Sequence, residues 1–78
     1  MNIMHTARDY EVRIFFSRAA GDDCFVAEAI DWPGITAVGD TREEAAHEIQ
    51  TALECALEFA LESGIAPPVP RAIAGAAA

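Results

Sequence analysis

Apolar and polar residues alternate along the first half of the chain, which predicts three short strands. The alternation over residues 10–16 predicts the first strand, and a Gly-Asp-Asp turn signal at 21–23 separates it from a second strand at 24–30. An Asp-Trp-Pro-Gly turn at 31–34 precedes a third strand at 35–38. Consecutive strands with tight connections predict an antiparallel meander.

The spacing then changes to that of a helix running from Arg42 to about Ser63. Thr41 is placed to cap it through its hydroxyl, and Glu44 to reach back to the Thr41 amide, which together form a capping box. Gly64 suits the left-handed position just after the helix. The predicted buried stripe consists of Ala45, Ile49, Ala52, Leu53, Ala56, Leu57, Ala60 and Leu61.

Three prolines, Pro67, Pro68 and Pro70, prevent the helix from continuing. The segment Val69 to Ala74 fits a short fourth strand, which Pro70 confines to an edge. The pattern predicts an α+β fold in which a three-stranded antiparallel meander is covered on one face by one helix. We expect a single domain over residues 10–73, with a flexible N-terminus at 1–9 and a flexible Ala-rich tail at 74–78.

The net charge of the chain limits the kinds of partner that it is expected to bind. The 78 residues include five Lys and Arg against 13 Asp and Glu, a net charge of −8. Nucleic-acid binding depends on basic residues that neutralise phosphates, so direct contact with DNA or RNA is not expected. A basic protein partner is the electrostatically favourable alternative. The competing interpretation is that acidity only keeps the domain soluble.

The chain contains no apolar run of membrane-spanning length, and its first ten residues do not resemble a signal peptide. We therefore expect a cytoplasmic protein with no membrane association. Cys24 and Cys55 lie on different predicted elements and do not form a C-x-x-C pair. Small, partly buried thiols are a better interpretation than a disulfide or a metal site.

The sequence contains few residue patterns that indicate an enzyme. Aspartates lie at predicted turns or strand ends, where two of them could meet around a divalent ion as in a metal-dependent nuclease. Aspartate is common in turns for conformational reasons alone, however. Neither serine is part of a nucleophile elbow, and no phosphate-binding glycine loop is present. We expect no enzyme activity, no cofactor and no metal. The aspartates concerned are Asp9, Asp22, Asp23, Asp31 and Asp40.

Two sets of apolar residues are candidates for contacts. Trp32 either folds onto the core or projects as an interface anchor. Phe15, with Val26 and Ile30, is predicted to form an apolar patch on the sheet face away from the helix, which a second subunit would cover. A chain of this length buries a modest core, so self-association is an expected source of additional stability.

The order of these parts resembles the HicB-like antitoxin domain. The resemblance covers the chain from about Tyr10 to Pro70 and rests on D-W-P-G-I-T-A-V-G-D-T-R-E-E-A, followed by G-I-A-P-P-V-P after the helix. It implies a truncated ribonuclease-H-like fold, β-β-β-α-β, that does not cleave RNA. It also implies a small basic HicA-like toxin as partner, whose mRNA-cleaving site the domain masks, and assembly as a homodimer or homotetramer.

Many members of this family continue into a helix-turn-helix or ribbon-helix-helix segment, for which the eight residues after Pro70 are too few. Direct DNA binding is therefore not expected, and the alternative function is an orphan homo-oligomeric accessory or regulatory domain without a toxin. The candidate toxin contacts are Asp31, Trp32, Asp40, Glu43, Glu54, Glu58 and Glu62. The residues assigned structural roles are Pro33, Gly34, Gly39, Thr41, Glu44 and Gly64.

Overall fold

The structure, a computed structural model, describes residues 6–18 and 23–70 and confirms the predicted α+β class. Three antiparallel strands form one sheet in the order β1-β2-β3, and one helix packs on it. In chain order, the elements are a 3₁₀ helix at Ala7–Asp9, β1 at Val12–Ser17, β2 at Cys24–Ala29, β3 at Thr36–Gly39 and α1 at Arg42–Ser63.

The strand pairing gives the sheet two different faces. Ile14 pairs with Ala27, and Ala27 pairs in turn with Ala37, so these three side chains point to the same side. That side packs on α1, and Ala27 is completely buried there. Ala27 and Ala37 are small, which leaves room for the helix to pack closely on the sheet.

Alanine dominates the core beneath α1. Five of the eight buried apolar residues are alanines, and the largest fully buried side chains on the helix are Ile49 and Leu53. Leu57 packs on the core from the next turn. The predicted stripe is therefore confirmed over most of its length. Leu61 is the exception at 58% exposed, because it lies at the edge of the stripe nearest the acidic face.

The connection between β2 and β3 is a tight turn over residues 32–35. The Ile35 N–H donates to the Trp32 carbonyl at 3.2 Å, with Pro33 and Gly34 at the two central positions. Gly34 has a φ of 97°, which L side chains rarely adopt. Proline followed by a residue with positive φ is the arrangement of a type II turn. The turn explains why this dipeptide separates the two strands.

The start of α1 follows the predicted cap with one change. The Thr41 hydroxyl accepts a hydrogen bond from the Glu44 N–H at 3.0 Å. The Glu44 carboxylate reaches back to the N–H of Asp40 rather than to that of Thr41, so it satisfies an amide one residue earlier than predicted. Arg42 lies with its guanidinium 5.0 Å from the Phe25 ring centroid and donates to the Ile14 carbonyl, which ties the helix start to the sheet.

Replacing Thr41 with alanine is expected to lower the free energy of unfolding by about 1 kcal/mol, because the Glu44 N–H loses its acceptor at the helix start. A urea titration measures the change. Thr51→Ala is the matched control, since Thr51 is exposed in the middle of the helix and its hydroxyl donates only to the His47 carbonyl. An equal loss in both variants would contradict the capping role.

The end of α1 is a Schellman motif. The Ile65 N–H donates to the Ala60 carbonyl at 2.9 Å, and the Gly64 N–H donates to the Leu61 carbonyl at 3.4 Å. Gly64 has a φ of 69°, the left-handed value that this motif requires. The predicted end of the helix is thereby confirmed at its last residue.

The segment before β1 contributes residues to the core. The expected flexible region reached residue 9, yet Ala7 and Tyr10 are buried against α1. The Tyr10 hydroxyl also donates to the Pro68 carbonyl, 58 residues along the chain. The structured region therefore starts by Ala7, because the apolar side chains of this segment complete the core and hold the post-helix segment in place.

Replacing Tyr10 with phenylalanine is expected to cost about 1 kcal/mol of unfolding free energy, because the Pro68 carbonyl loses its donor. Burial of the hydroxyl, together with the nearby carboxylates of Asp9 and Asp31, raises the pKa of Tyr10 above its usual 10.0. The unfolded chain therefore loses this proton first as the pH rises, so stability falls above about pH 10. Urea titrations from pH 8 to pH 11 should show this fall in the parent and a smaller one in Tyr10→Phe.

The remaining strand predictions differ in detail. β1 begins at Val12 rather than Tyr10, and β3 is shifted by one residue to end at Gly39. Of the predicted fourth strand, Val69 and Pro70 are not in a strand, and its remaining residues lie outside the described part of the chain. The Ala-rich tail and most of the loop between β1 and β2 also lie outside it.

Candidate protein-binding surface

The outer face of α1 carries a continuous row of carboxylates. Glu54, Glu58 and Glu62 follow one another at intervals of four residues and are all exposed. Side chains spaced in this way are neighbours on one face of a helix. The buried residues of α1 lie on the opposite side. We call these three residues the acidic row.

The part of the chain around the acidic row supplies no basic residue to balance its charge. Residues 43–70 contain six Glu and no Lys or Arg. Glu58 and Glu62 lie near the C-terminal, negative end of the helix dipole. The last turn of α1 has no basic side chain to offset their charge. Like charges four residues apart each destabilise a helix by about 0.2–0.5 kcal/mol. Repulsion within the acidic row therefore lowers the stability of the isolated domain. A cationic group beside the row would reduce this repulsion.

The other predicted acidic contacts lie elsewhere. Glu43 and Asp40 are at the helix start, and Glu43 is eleven positions before Glu54. At a rise of 1.5 Å per residue this corresponds to about 16 Å along the axis. Glu43 lies near the positive end of the dipole, where a carboxylate stabilises the helix. The structure therefore divides the predicted contact set instead of joining it into one patch.

Trp32 and Asp31 belong to the turn between β2 and β3. The Trp32 ring is half-buried on the core and lies 5.5 Å from the Tyr10 ring, at an angle of 43°. Trp32 therefore packs on the core and does not project from the surface as an interface anchor. Asp31 is half-buried beside it. Most of the Trp32 surface is thus used to hold the turn against the first residues of the domain.

The outer face of the sheet carries an apolar row. Phe15 pairs with Val26, and Val26 pairs with Val38, so the three side chains lie side by side on the face opposite α1. Val38 is 59% exposed. The Arg13 guanidinium lies 4.3 Å from the Phe15 ring centroid and forms an ion pair with Glu28 at 3.0 Å. The face thus combines apolar groups with charges of both signs.

Comparison with protein-family models, with curated proteins and with solved structures finds no match for this chain. The functional interpretation therefore depends on the geometry of the chain itself. Among the described residues, no group of three or more His, Cys, Asp or Glu is placed to hold a metal ion. Neither described cysteine forms a disulfide. None of the described helices combines the length and hydrophobicity needed to cross a membrane.

Two exposed apolar residues, Val38 and Phe59, were not among the predicted contacts. Val38 lies beside Val26 on the outer face of the sheet, whereas Ile30, the third member of the predicted patch, lies beyond the end of β2 and is 40% exposed. Phe59 is 65% exposed near the end of α1. A signal for Phe59 was present in the sequence, since it falls outside the predicted buried stripe. The row containing Val38 depends on strand register, which the sequence did not specify.

Proposed function

We propose that this chain is a non-catalytic, HicB-like antitoxin domain that binds and masks a small basic RNA-cleaving toxin. The observation that carries the proposal is the uncompensated acidic row on the exposed face of α1. A partner that must bind RNA presents basic groups to it. The same groups are complementary to a row of carboxylates, so the inhibitor competes with RNA for them.

The physical basis of the proposal is the relief of repulsion. The three carboxylates of the acidic row face water and are not paired with a basic side chain in the described chain. Their desolvation is compensated when Lys or Arg side chains of a partner take the place of water. Opposite fields also increase the rate of encounter at low salt. The expected complex therefore forms quickly and weakens as salt rises.

The test starts from the tagged protein in its native cells, recovered at low salt and identified together with its partner by mass spectrometry. The recombinant partner is then assayed for RNA cleavage with and without this chain. We expect a small basic protein whose cleavage of RNA is inhibited. A partner without RNA-cleaving activity, or cleavage that continues when the two proteins are bound, would contradict the proposal.

A matched pair of variants separates the acidic row from net charge. Glu58→Gln with Glu62→Gln removes two charges from the row, and Glu11→Gln with Asp23→Asn removes two exposed charges outside α1. The first double variant should weaken inhibition and reduce its salt dependence, whereas the second should retain both. Equal effects would show that only the total charge matters.

A second candidate function, an orphan homo-oligomeric domain without a toxin, is favoured by the apolar row on the sheet. Two copies related by a twofold axis would cover Phe15, Val26 and Val38, and would allow Arg13 of each copy to approach Glu28 of the other. Sedimentation equilibrium of Val38→Asp tests this function. Dissociation to monomers supports a dimer through the sheet, and an unchanged mass excludes it.

A further inference from the structure

The end of α1 combines the acidic row with large exposed apolar side chains. Phe59 is 65% exposed and Leu61 is 58% exposed, and no large apolar residue earlier in α1 is exposed. Ile65, immediately after the helix cap, is 57% exposed. We call Phe59, Leu61 and Ile65, together with the acidic row, the C-terminal helix surface.

The apolar and acidic residues of this surface are interleaved. Leu61 is three residues after Glu58, and Phe59 is three residues before Glu62, so each apolar side chain neighbours a carboxylate on the helix. Going around the helix, Phe59 lies on one side of the acidic row and Leu61 on the other. The distance along the axis from Glu54 to Glu62 is about 12 Å. A binding element of about two helical turns would therefore cover the surface.

Folding of the domain does not explain this combination. The core of α1 is complete without Phe59 and Leu61, which remain mostly in water. Apolar side chains that flank charges of one sign are complementary to a partner with apolar anchors between groups of the opposite sign. A second copy of this chain is a poor occupant, because it would place its own acidic row against that of the first.

We infer that the C-terminal helix surface docks an amphipathic basic segment, with Lys or Arg facing the acidic row and large apolar side chains packing on Phe59 and Leu61. The inference rests on the proposed function and specifies the chemistry of the partner's binding element. It adds an apolar component to an interaction that charge alone would make entirely salt-sensitive. The complex therefore retains part of its affinity at salt concentrations that screen the ion pairs.

The test uses the whole chain and three synthetic peptides of about 18 residues, a length that allows helix formation on binding. The first is a Lys-Leu peptide whose leucines recur at positions i, i+3 and i+4. The second has the same composition in an order without that period, and the third replaces every Lys with Glu. Binding is measured by fluorescence anisotropy of labelled peptide at low and high salt.

We expect the periodic basic peptide to bind at least tenfold more tightly than the scrambled one at high salt, and the acidic peptide not to bind. Phe59→Ser and Leu61→Ser should each weaken binding of the periodic peptide by about tenfold. Val69→Ser is the matched control, because Val69 is 61% exposed but lies outside both α1 and the apolar row of the sheet, and it should bind as the parent does. Because all three positions are exposed, urea titrations should show that each variant folds.

Different results separate this inference from the proposed function. Equal binding of both basic peptides, with no effect of Phe59→Ser or Leu61→Ser, overturns the apolar component but is compatible with an electrostatic antitoxin surface. Loss of binding in Val69→Ser places the site outside the C-terminal helix surface and overturns the inference. Absence of binding by any peptide also overturns it, while toxin inhibition tests the proposed function independently. Self-association of the parent that Leu61→Ser abolishes would identify a second copy as the occupant.

Discussion

Replacing Ile49 with alanine is expected to lower the free energy of unfolding by about 2–5 kcal/mol. Ile49 is 1% exposed and belongs to a core cluster whose other fully buried members are mostly alanines. Small neighbours leave few atoms that can move into the space left by the lost side chain. A 78-residue domain has about 4–12 kcal/mol of total stability, so this single change removes a large part of it.

Urea titrations of Ile49→Ala and Leu61→Ala test this prediction with the same number of side-chain carbons removed. Leu61 is 58% exposed, so its loss should change the unfolding free energy by less than about 0.5 kcal/mol. A similar effect in the two variants would contradict the core assignment. Leu53→Ala, at a second fully buried position on α1, should resemble Ile49→Ala.

Replacing Gly39 with alanine is expected to cost about 1–3 kcal/mol, and replacing it with valine more. Gly39 is the last residue of β3 and is buried where the chain turns into α1. A Cβ at this position would lie 2.6 Å from the Ala45 backbone nitrogen and 2.9 Å from the Glu44 carbonyl carbon. Since these are backbone atoms of the first helical turn, the helix itself must shift to make room.

The control for Gly39→Ala is chosen to identify the cause of the loss. The three closest atoms are two backbone atoms and the Glu44 Cβ, which every residue except glycine carries, so truncating a side chain of α1 to alanine cannot make room for the added Cβ. Gly34→Ala provides a comparison with no close atoms, where the cost comes from the positive φ alone.

The loss of stability in Gly39→Ala can be separated from an effect on the candidate surface. Glu54, Glu58 and Glu62 all lie on α1, so a shift of the helix on the sheet moves the acidic row as a unit and keeps its internal spacing. Ile49→Ala likewise leaves the outer face of α1 unchanged while the domain is folded. Binding assays below the unfolding transition should therefore show binding like that of the parent in both variants, although both are less stable.

Much of the fold could be predicted because its signals are local. The bounds of α1 follow from the Thr41 cap at one end and Gly64 at the other, each of which acts within a few residues. The turn between β2 and β3 likewise follows from Pro33 and Gly34. The acidic row was also predictable, since a spacing of four residues on a helix defines one face.

Other features depend on contacts between distant parts of the chain. The hydrogen bond from Tyr10 to Pro68 joins residues 58 positions apart, and no local pattern indicates it. The pairing of Val26 with Val38 depends on strand register, so the predicted patch of Phe15, Val26 and Ile30 did not include Val38. Leu61 fits the helical spacing of the predicted stripe. It is nevertheless exposed, because the sheet covers only the central part of that stripe and Leu61 lies at its edge.

The sequence by itself determined the order of the elements, the ends of α1 and the sign of its outer face, because hydrogen bonds and spacing within a few residues are enough to set them. Only the tertiary structure decided which apolar residues meet on the sheet, how closely Gly39 approaches the helix and which side chains near residue 60 remain in water. These depend on how the sheet and helix pack together, which brings residues far apart in the chain into contact.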